Sequence, residues 1–215
     1  NYRNTREILD AALPVLSEVH KDHSTQEGEE SDLLQPEAAV RKGSAPRHLT
    51  CGYHGEADAI ADEIRRLMEE EKVKPGNIAV LAYPNRIKGA IYHGLRKRGV
   101  ICQEHDRESE IRLSDPSVKV IPMKSAKGLE FPVVFLVGAG RNFKPRTKKL
   151  DEHEVATYMG EMRRLFYVAM TRAMSDLVLV YPDNDPPLFL QPGAELDEST
   201  SLEEIYLGKK MSWGK

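Results

Sequence analysis

The sequence predicts an α/β fold, a mostly parallel sheet with helices on both faces. Several short runs are apolar throughout, as in Ile78-Ala79-Val80-Leu81-Ala82 and Val133 to Val137. Such runs are the mark of strands buried on both faces. Between them lie segments with apolar residues at helical spacing, and strands alternating with amphipathic helices are built as parallel crossovers. The third observation is quantity. Apolar residues make up 40% of 215 residues, and the 15 glycines bring the share near that of ordinary globular chains, so a sizeable core is available.

Each element follows in order. Thr5 to Val19 reads as a helix carrying Ile8, Leu9, Ala12 and Leu16. From about residue 20 to 47 the chain is polar and acidic, with Asp22, Glu27, Glu29, Glu30, Asp32 and Glu37, which suits a long, partly mobile surface loop. Arg47 to Tyr53 reads as a short strand. From Glu56 the stripe Ala57, Ile60, Ala61, Ile64, Leu67 and Met68 defines an amphipathic helix. Pro75-Gly76 marks a turn before the strand Ile78 to Ala82. Asn85 is expected to cap a helix bearing Ile87, Ala90, Ile91 and Leu95, ended by Gly99 in a left-handed conformation. Val100 to Cys102, Val118 to Ile121, Val133 to Val137 and Leu177 to Tyr181 complete the strands. A long helix with the stripe Val155, Tyr158, Met159, Met162, Phe166, Ala169, Met170 and Ala173 precedes the last of them. After Pro182 the sequence is irregular, with a short helix expected near Leu202 to Leu207.

Composition narrows the function. Lys+Arg 31 against Asp+Glu 34 gives a net charge of -3, so any nucleic-acid surface has to be local. The longest apolar run, Phe131 to Gly140, is broken by Pro132 and Gly138 and is too short to span a membrane. No signal-peptide pattern opens the chain, and Cys51 and Cys102 form neither a metal motif nor a disulfide framework. A soluble cytoplasmic protein is expected. The chain begins at Asn1 without a methionine, as a piece of something longer would.

The chemistry-bearing segments are few. In doubly wound sheets ligands gather at the carboxyl ends of the strands. After Val118–Ile121 comes Met123-Lys124-Ser125-Ala126-Lys127-Gly128-Leu129-Glu130. Lys124, Lys127 and Ser125 offer cations and a hydroxyl to phosphates, Gly128 admits close backbone approach, and Glu130 can accept from a ribose or order an arginine. Taken alone, such a loop is ordinarily just solvated. By helical stepping Arg172 falls beside Leu165 and Glu161, on the border of the apolar stripe, from which it can reach across a cleft. The plain alternative is an arginine lying over the core edge. Asn1-Tyr2-Arg3-Asn4-Thr5 offers an aromatic, an arginine and a cap for the helix that follows. Arg86, Lys88, Arg96, Lys97 and Arg98 read as a solvated helix face rather than a DNA patch. No GxxxxGK phosphate loop and no strand ending in paired acids for Mg2+ is present, nor any H-E-x-x-H, CxxC or GxSxG element.

NYRNTREIL, VKVIPMKSAKGLEFPVVFLVGAG and EMRRLFYVAMTRAMSDLVLVY occur in the order and spacing of superfamily 1 DNA helicases. Together they resemble motifs four to six in the C-terminal half of the UvrD, Rep and PcrA type. EADAIADEIRRL and IAVLAYPNRIKGAIYHGLRKRGV resemble the elements which that family carries before its central insertion. The resemblance implies a RecA-like (P-loop NTPase-like) domain over residues 1–182, the second of two, followed by a tail over 183–215. It implies that Tyr2 stacks on adenine, Arg3 reaches the γ-phosphate, Glu130 contacts the ribose and Arg172 is the arginine finger. Gly128 would border the nucleotide. Lys124, Ser125 and Lys127 would lie near single-stranded DNA or on the path coupling it to ATP. ATP and Mg2+ would be held mainly by an N-terminal RecA-like domain of the same parent chain, and no membrane is involved.

Two departures stand out. The family usually has Thr and His where this chain has Pro122 and Lys124, and in place of a large helical insertion there is only the connection Gln103 to Pro116. The leading expectation is therefore the C-terminal motor domain of an ATP-dependent DNA helicase or translocase, without the accessory subdomain and inactive alone. Two alternatives stay open. One is a non-catalytic nucleic-acid-binding or regulatory module, and the other is the helicase part of a helicase–nuclease.

Overall fold

A computed structural model describes residues 4–16, 41–105, 112–145 and 151–190. Within them six strands form one sheet: β1 (Arg47–Cys51), β2 (Ile78–Ala82), β3 (Cys102–Glu104), β4 (Val118–Pro122), β5 (Phe131–Val137) and β6 (Ala173–Pro182). Their spatial order is β1-β6-β5-β2-β4-β3, and every pairing is parallel. All six strands thus present their carboxyl ends along one edge of the sheet and their amino ends along the other.

Side chains alternate between the two faces of a strand, so each strand feeds two cores. Ala79 and Leu81 of β2, Val134 and Leu136 of β5, and Leu177 and Leu179 of β6 pack with α1 (Arg6–Ala12) and α4 (Glu152–Met170). Their neighbours Ile78, Val80, Val133, Phe135, Val178 and Val180 pack with α2 (Glu56–Glu69) and α3 (Asn85–Lys97). Burial on both faces is why these strands are apolar throughout. The predicted α/β architecture is present.

Several boundaries differ from expectation, each for a local reason. Pro14 turns the end of α1 into a 3-10 turn, Leu13–Val15, while residues 17–19 lie outside those described. α3 starts on Asn85 itself with Pro84 at the cap, and no side chain caps it. Gly99, at φ 79°, ends the helix region as foreseen. β3 lies two residues later than expected, because Val100 N–H turns back to Leu95 O and the strand pairs only from Cys102 with Val118. Ala173, placed by periodicity on the long helix, is the first residue of β6. The expected helix near Leu202–Leu207 and most of the acidic loop fall outside the described residues.

Two devices set the ends of the sheet. α4 opens with a reciprocal capping box: Asp151 Oδ1 accepts from Glu154 N–H at 2.8 Å, and Glu154 Oε2 accepts from Asp151 N–H at 2.9 Å. At the carboxyl end of β5, Gly138 has φ 83°, and a Cβ there would lie 1.9 Å from Tyr83 O. Only glycine lets the chain leaving β5 pass so close to the chain leaving β2.

Candidate functional site

The predicted site residues fall at the two opposite edges of the sheet, joined by one short segment. β4 and β5 are parallel, with β2 between them, so the chain has to cross β2 from the carboxyl edge back to the amino edge. It does so in residues 123–130 by consecutive turns, Ala126 N–H to Met123 O at 3.2 Å and Leu129 N–H to Ala126 O at 3.1 Å. A three-residue repeat points Met123, Ala126 and Leu129 into the core and leaves Lys124, Ser125, Lys127 and Gly128 exposed. The loop therefore does not present its four polar residues to one ligand. It lays them along a path between two edges.

At the amino edge lie Glu130, directly before β5, and Arg172, directly before β6. Arg172 is not on the helix that periodicity assigned it to. α4 ends at Met170, and Arg172 occupies the turn into β6. Its Nε donates to Val168 O at 3.0 Å, its guanidinium reaches Leu129 O at 3.4 Å, and it touches Thr171 Oγ1 at 3.4 Å. A cation on the last free carbonyls of a helix satisfies orphan acceptors and the negative end of the helix dipole. Its backbone O accepts from Phe131 N–H at 3.0 Å, and a register shift at Pro132, which has no N–H, leaves that bond at the start of the β5–β6 ladder. Glu130 and Arg172 are thereby fixed side by side in the ladder. Gly128, at φ 84°, has no other heavy atom within 4 Å of where a side chain would sit, so the approach to this edge is open there.

The chain start converges on the same place. Asn4 is buried and does not cap α1; Thr5 holds the cap position without a side-chain bond. Instead Asn4 Nδ2 donates to Thr171 O at 2.8 Å and to Ala173 O at 2.6 Å, bracketing Arg172 in sequence. Tyr2 and Arg3 lie outside the described residues, and Asn4 anchors the residue next to them. Alongside runs Arg41, bridged to Thr5, whose O accepts from Arg6 N–H at 2.9 Å and whose guanidinium donates to Ser175 Oγ at 3.1 Å. Sequence reading assigned no role to Asn4 beyond a cap and none to Arg41. Asn4 donates to carbonyls 167 and 169 residues away and Arg41 to a hydroxyl 134 residues away, which leaves no local pattern.

At the carboxyl edge Lys124 and Ser125 form the turn after β4, and Lys124 Nζ stands 5.9 Å from the centroid of the Tyr83 ring. Tyr83 follows β2. Arg86, in the first turn of α3, donates to Asn142 Oδ1 at 2.6 Å, and Asn142 follows β5. In the rest of the basic run on α3, Lys88 alone is buried and Arg96, Lys97 and Arg98 are exposed. Lys88 is buried against Glu104 at 2.8 Å and His105 O at 2.9 Å, Arg98 pairs with Asp58, and Arg96 lies over Tyr92. A solvated face was expected, and Lys88 departs from it because β3 packs over that helix.

Other chemistry is limited among the described residues. Burial pushes the thiols of Cys51 and Cys102 up to about 11, so both are protonated at neutral pH and unsuited to nucleophilic work. No three His, Cys, Asp or Glu side chains converge as metal donors. One carboxylate, Glu130, lies at the amino edge with the cation Arg172 and the open Gly128, and no three-donor metal group accompanies it among the described residues. No described helix is long and apolar enough to cross a membrane.

Residues 101–184 match the family model for the UvrD-like helicase C-terminal domain. This stretch is similar to UvrD-like helicase C-terminal domains. It contains β4, the 123–130 crossover, α4 and Arg172, that is, every described site residue. DNA helicase II of Escherichia coli K12 is 45% identical over 67 residues, which is 31% of this chain and 9% of that protein. ATP-dependent DNA helicase PcrA of Staphylococcus aureus Mu50 is 39% identical over 95 residues, 43% of this chain and 12% of that protein. The matches thus span about a tenth of the length of these relatives. The C-terminal domain of a possible DNA helicase from Lactobacillus plantarum has the same fold, with a TM-score of 0.60 at 23% identity, over 88% of this chain and 92% of that one. That likeness is one of fold, and it takes in β1, β2 and the helices before residue 101.

Proposed function

We propose that this chain is the second RecA-like domain of an ATP-dependent DNA helicase or translocase, supplying half of a composite ATP site and part of a single-stranded DNA track. The observation that carries the proposal is the 123–130 crossover, whose one end bears Lys124 and Ser125 and whose other end abuts Arg172. A motor has to link occupancy of a nucleic-acid site to closure around a phosphate, and eight residues here join two such candidates directly.

In this reading Arg172, Glu130 and Gly128 face a nucleotide held mainly by a preceding RecA-like domain, which also supplies the Mg2+ ligands. Tyr2 and Arg3, next to the anchored Asn4, complete that side as adenine platform and phosphate contact. Arg172 already sits on neutral carbonyls. A phosphate offers the guanidinium shorter, charge-assisted bonds than these carbonyls do. The role of Arg172 is to stabilise charge developing on the transferring phosphoryl group, while Mg2+, which residues of the preceding domain would hold, would supply further neutralisation of that charge. Lys124 and Ser125 contact the DNA backbone, and Lys127 lies on the path between the two sites. The domain occupies residues 1–182 with a tail over 183–215, and the setting is the cytoplasm.

The test separates the two edges. In a protein carrying both RecA-like domains, Arg172→Ala should abolish hydrolysis while retaining DNA binding, and Lys124→Ala should weaken DNA binding while retaining basal hydrolysis. Loss of both functions in each variant would contradict the assignment of separate roles.

A further inference from the structure

The carboxyl edge continues beyond Lys124 and Ser125, and its far end is built around an exposed aromatic. Tyr53, in the turn after β1, is 63% exposed, an unusual position for a large ring in a chain with 7% aromatic residues. The Arg141 guanidinium lies 5.3 Å from its ring centroid. Arg141 follows β5 and reaches over the end of β6, where Asp185 holds it twice: Arg141 N–H to Oδ1 at 2.7 Å and Nε to Oδ2 at 3.3 Å. Gly140 has no room for a side chain, because Asp185 Oδ1 would lie 2.3 Å from its Cβ. Gly55 N–H to Gly52 O at 2.9 Å closes the turn that carries Tyr53. Neither ring nor guanidinium is left to find its position on binding.

This pair is continuous with the rest of the edge. Asn142, next to Arg141, takes the hydrogen bond from Arg86, and Tyr83 with Lys124 over it follows on β2 and β4. The row therefore alternates aromatics with cations from β1 to β4. At about 4.8 Å per strand, four spacings make it about 19 Å long. Cations at phosphate height and aromatic faces for bases are what a sequence-tolerant single-stranded nucleic-acid site needs. The His54 ring lies beside Tyr53, centroids 4.0 Å apart and tilted by 57°, and an exposed ring flanked by an imidazole and a guanidinium matches the flat face of a base.

We propose that Tyr53, positioned by Arg141 and Asp185, is a base-stacking platform that extends the single-stranded DNA track to the β1 end of the sheet. The inference rests on the DNA-track reading above and adds to it a residue, a contact type and a length. The test measures binding of a fluorescent (dT)12 and of a 12-mer abasic backbone to the 215-residue chain, as wild type, Tyr53→Ala and Tyr53→Phe. Tyr53→Ala should weaken (dT)12 by roughly fivefold or more, as loss of one stacked base does, and leave the abasic strand unaffected. Tyr53→Phe should bind (dT)12 like wild type. Unchanged (dT)12 affinity in Tyr53→Ala, or an equal loss on the abasic strand, overturns the stacking site alone. Failure of the wild-type chain to bind either strand overturns the track and the platform together.

Discussion

Arg172 and Lys124 illustrate how one residue type supports different expectations once its partners are known. Arg172 donates to Val168 O and reaches Leu129 O and Thr171 Oγ1, which holds its guanidinium at the amino edge, where the proposed phosphate would sit. In a protein with both RecA-like domains, Arg172→Ala should lower ATP hydrolysis by roughly 10³-fold or more. ATP affinity should fall far less, because the contact strengthens in the transition state; single-turnover hydrolysis beside nucleotide binding measures both. Normal hydrolysis would leave Arg172 as a helix-end cap. Lys124 is a point charge exposed after β4, suited to a phosphate rather than a base edge. Lys124→Ala should flatten the salt dependence of single-strand affinity by about 0.7 in log–log slope, equally for all sequences. Superimposable slopes would move the backbone contact to Ser125 or Lys127.

Lys119 is a residue whose importance the sequence hid. It sits inside the apolar run of β4, fully buried, its ammonium donating to Asp115 O and Ser117 O, both at 2.6 Å. Burial lowers its pKa, opposed by the nearby Asp115 carboxylate. Between the folded pKa and the unfolded value of about 10.4, the unfolded chain holds more protons than the folded one. Stability must then rise with pH across that window. The difference in urea midpoint between wild type and Lys119→Met should shift in favour of wild type from pH 8 to pH 10, since other groups cancel. A constant difference would mean that the ammonium is solvated.

At the scale of elements, the amino edge depends on long-range stapling rather than on any one helix or strand. α1 is only seven residues long, too short to hold its own position. Asn4 ties its start to Thr171 and Ala173, and Arg163 ties its end, donating to Val15 O at 3.3 Å while stacking 4.6 Å from the Phe189 ring centroid. Asn4→Ala leaves two carbonyls beside Arg172 without that donor, and should cost roughly 1–3 kcal/mol in urea unfolding. The same variant should disturb the Arg172 turn, visible as faster amide exchange at Arg172 and Ala173. A cost below about 0.5 kcal/mol, as at an ordinary surface site, would show that water replaces Asn4.

For the whole molecule, the two edges have unequal completeness. The carboxyl edge is assembled within this chain. The amino edge supplies a cation, an acid and an open glycine, but no phosphate loop and no metal donors among the described residues. The 215-residue chain alone should therefore show no DNA-stimulated ATPase, since phosphoryl transfer would lack both cradle and cation. Turnover at helicase-like rates by a purified sample, with contaminants controlled, would refute this and require a nucleotide site contained in this chain.

What the sequence determined by itself was set by local period and by contiguous motifs. Continuous apolar runs gave the parallel sheet, because burial on both faces leaves no place for polar residues. Helical stripes gave α2, α3 and α4, and the AKGLEF and RRLFYVAMTRA segments carried the resemblance to UvrD-like helicases. Tertiary structure decided the rest. Helical stepping carried Arg172 past the true end of α4, since strand pairing with β5, not the side-chain period, stops that helix. The lysine loop read as one cluster because sequence order does not record that β2 lies between β4 and β5. That insertion forces residues 123–130 to cross the sheet, and so divides Lys124 and Ser125 from Glu130 and Arg172. Asn4 and the Tyr53–Arg141 pair escaped notice because their partners lie far along the chain, brought near by the order in which parallel strands assemble, whereas Lys119 has local acceptors in Asp115 O and Ser117 O and only its burial is set by the sheet.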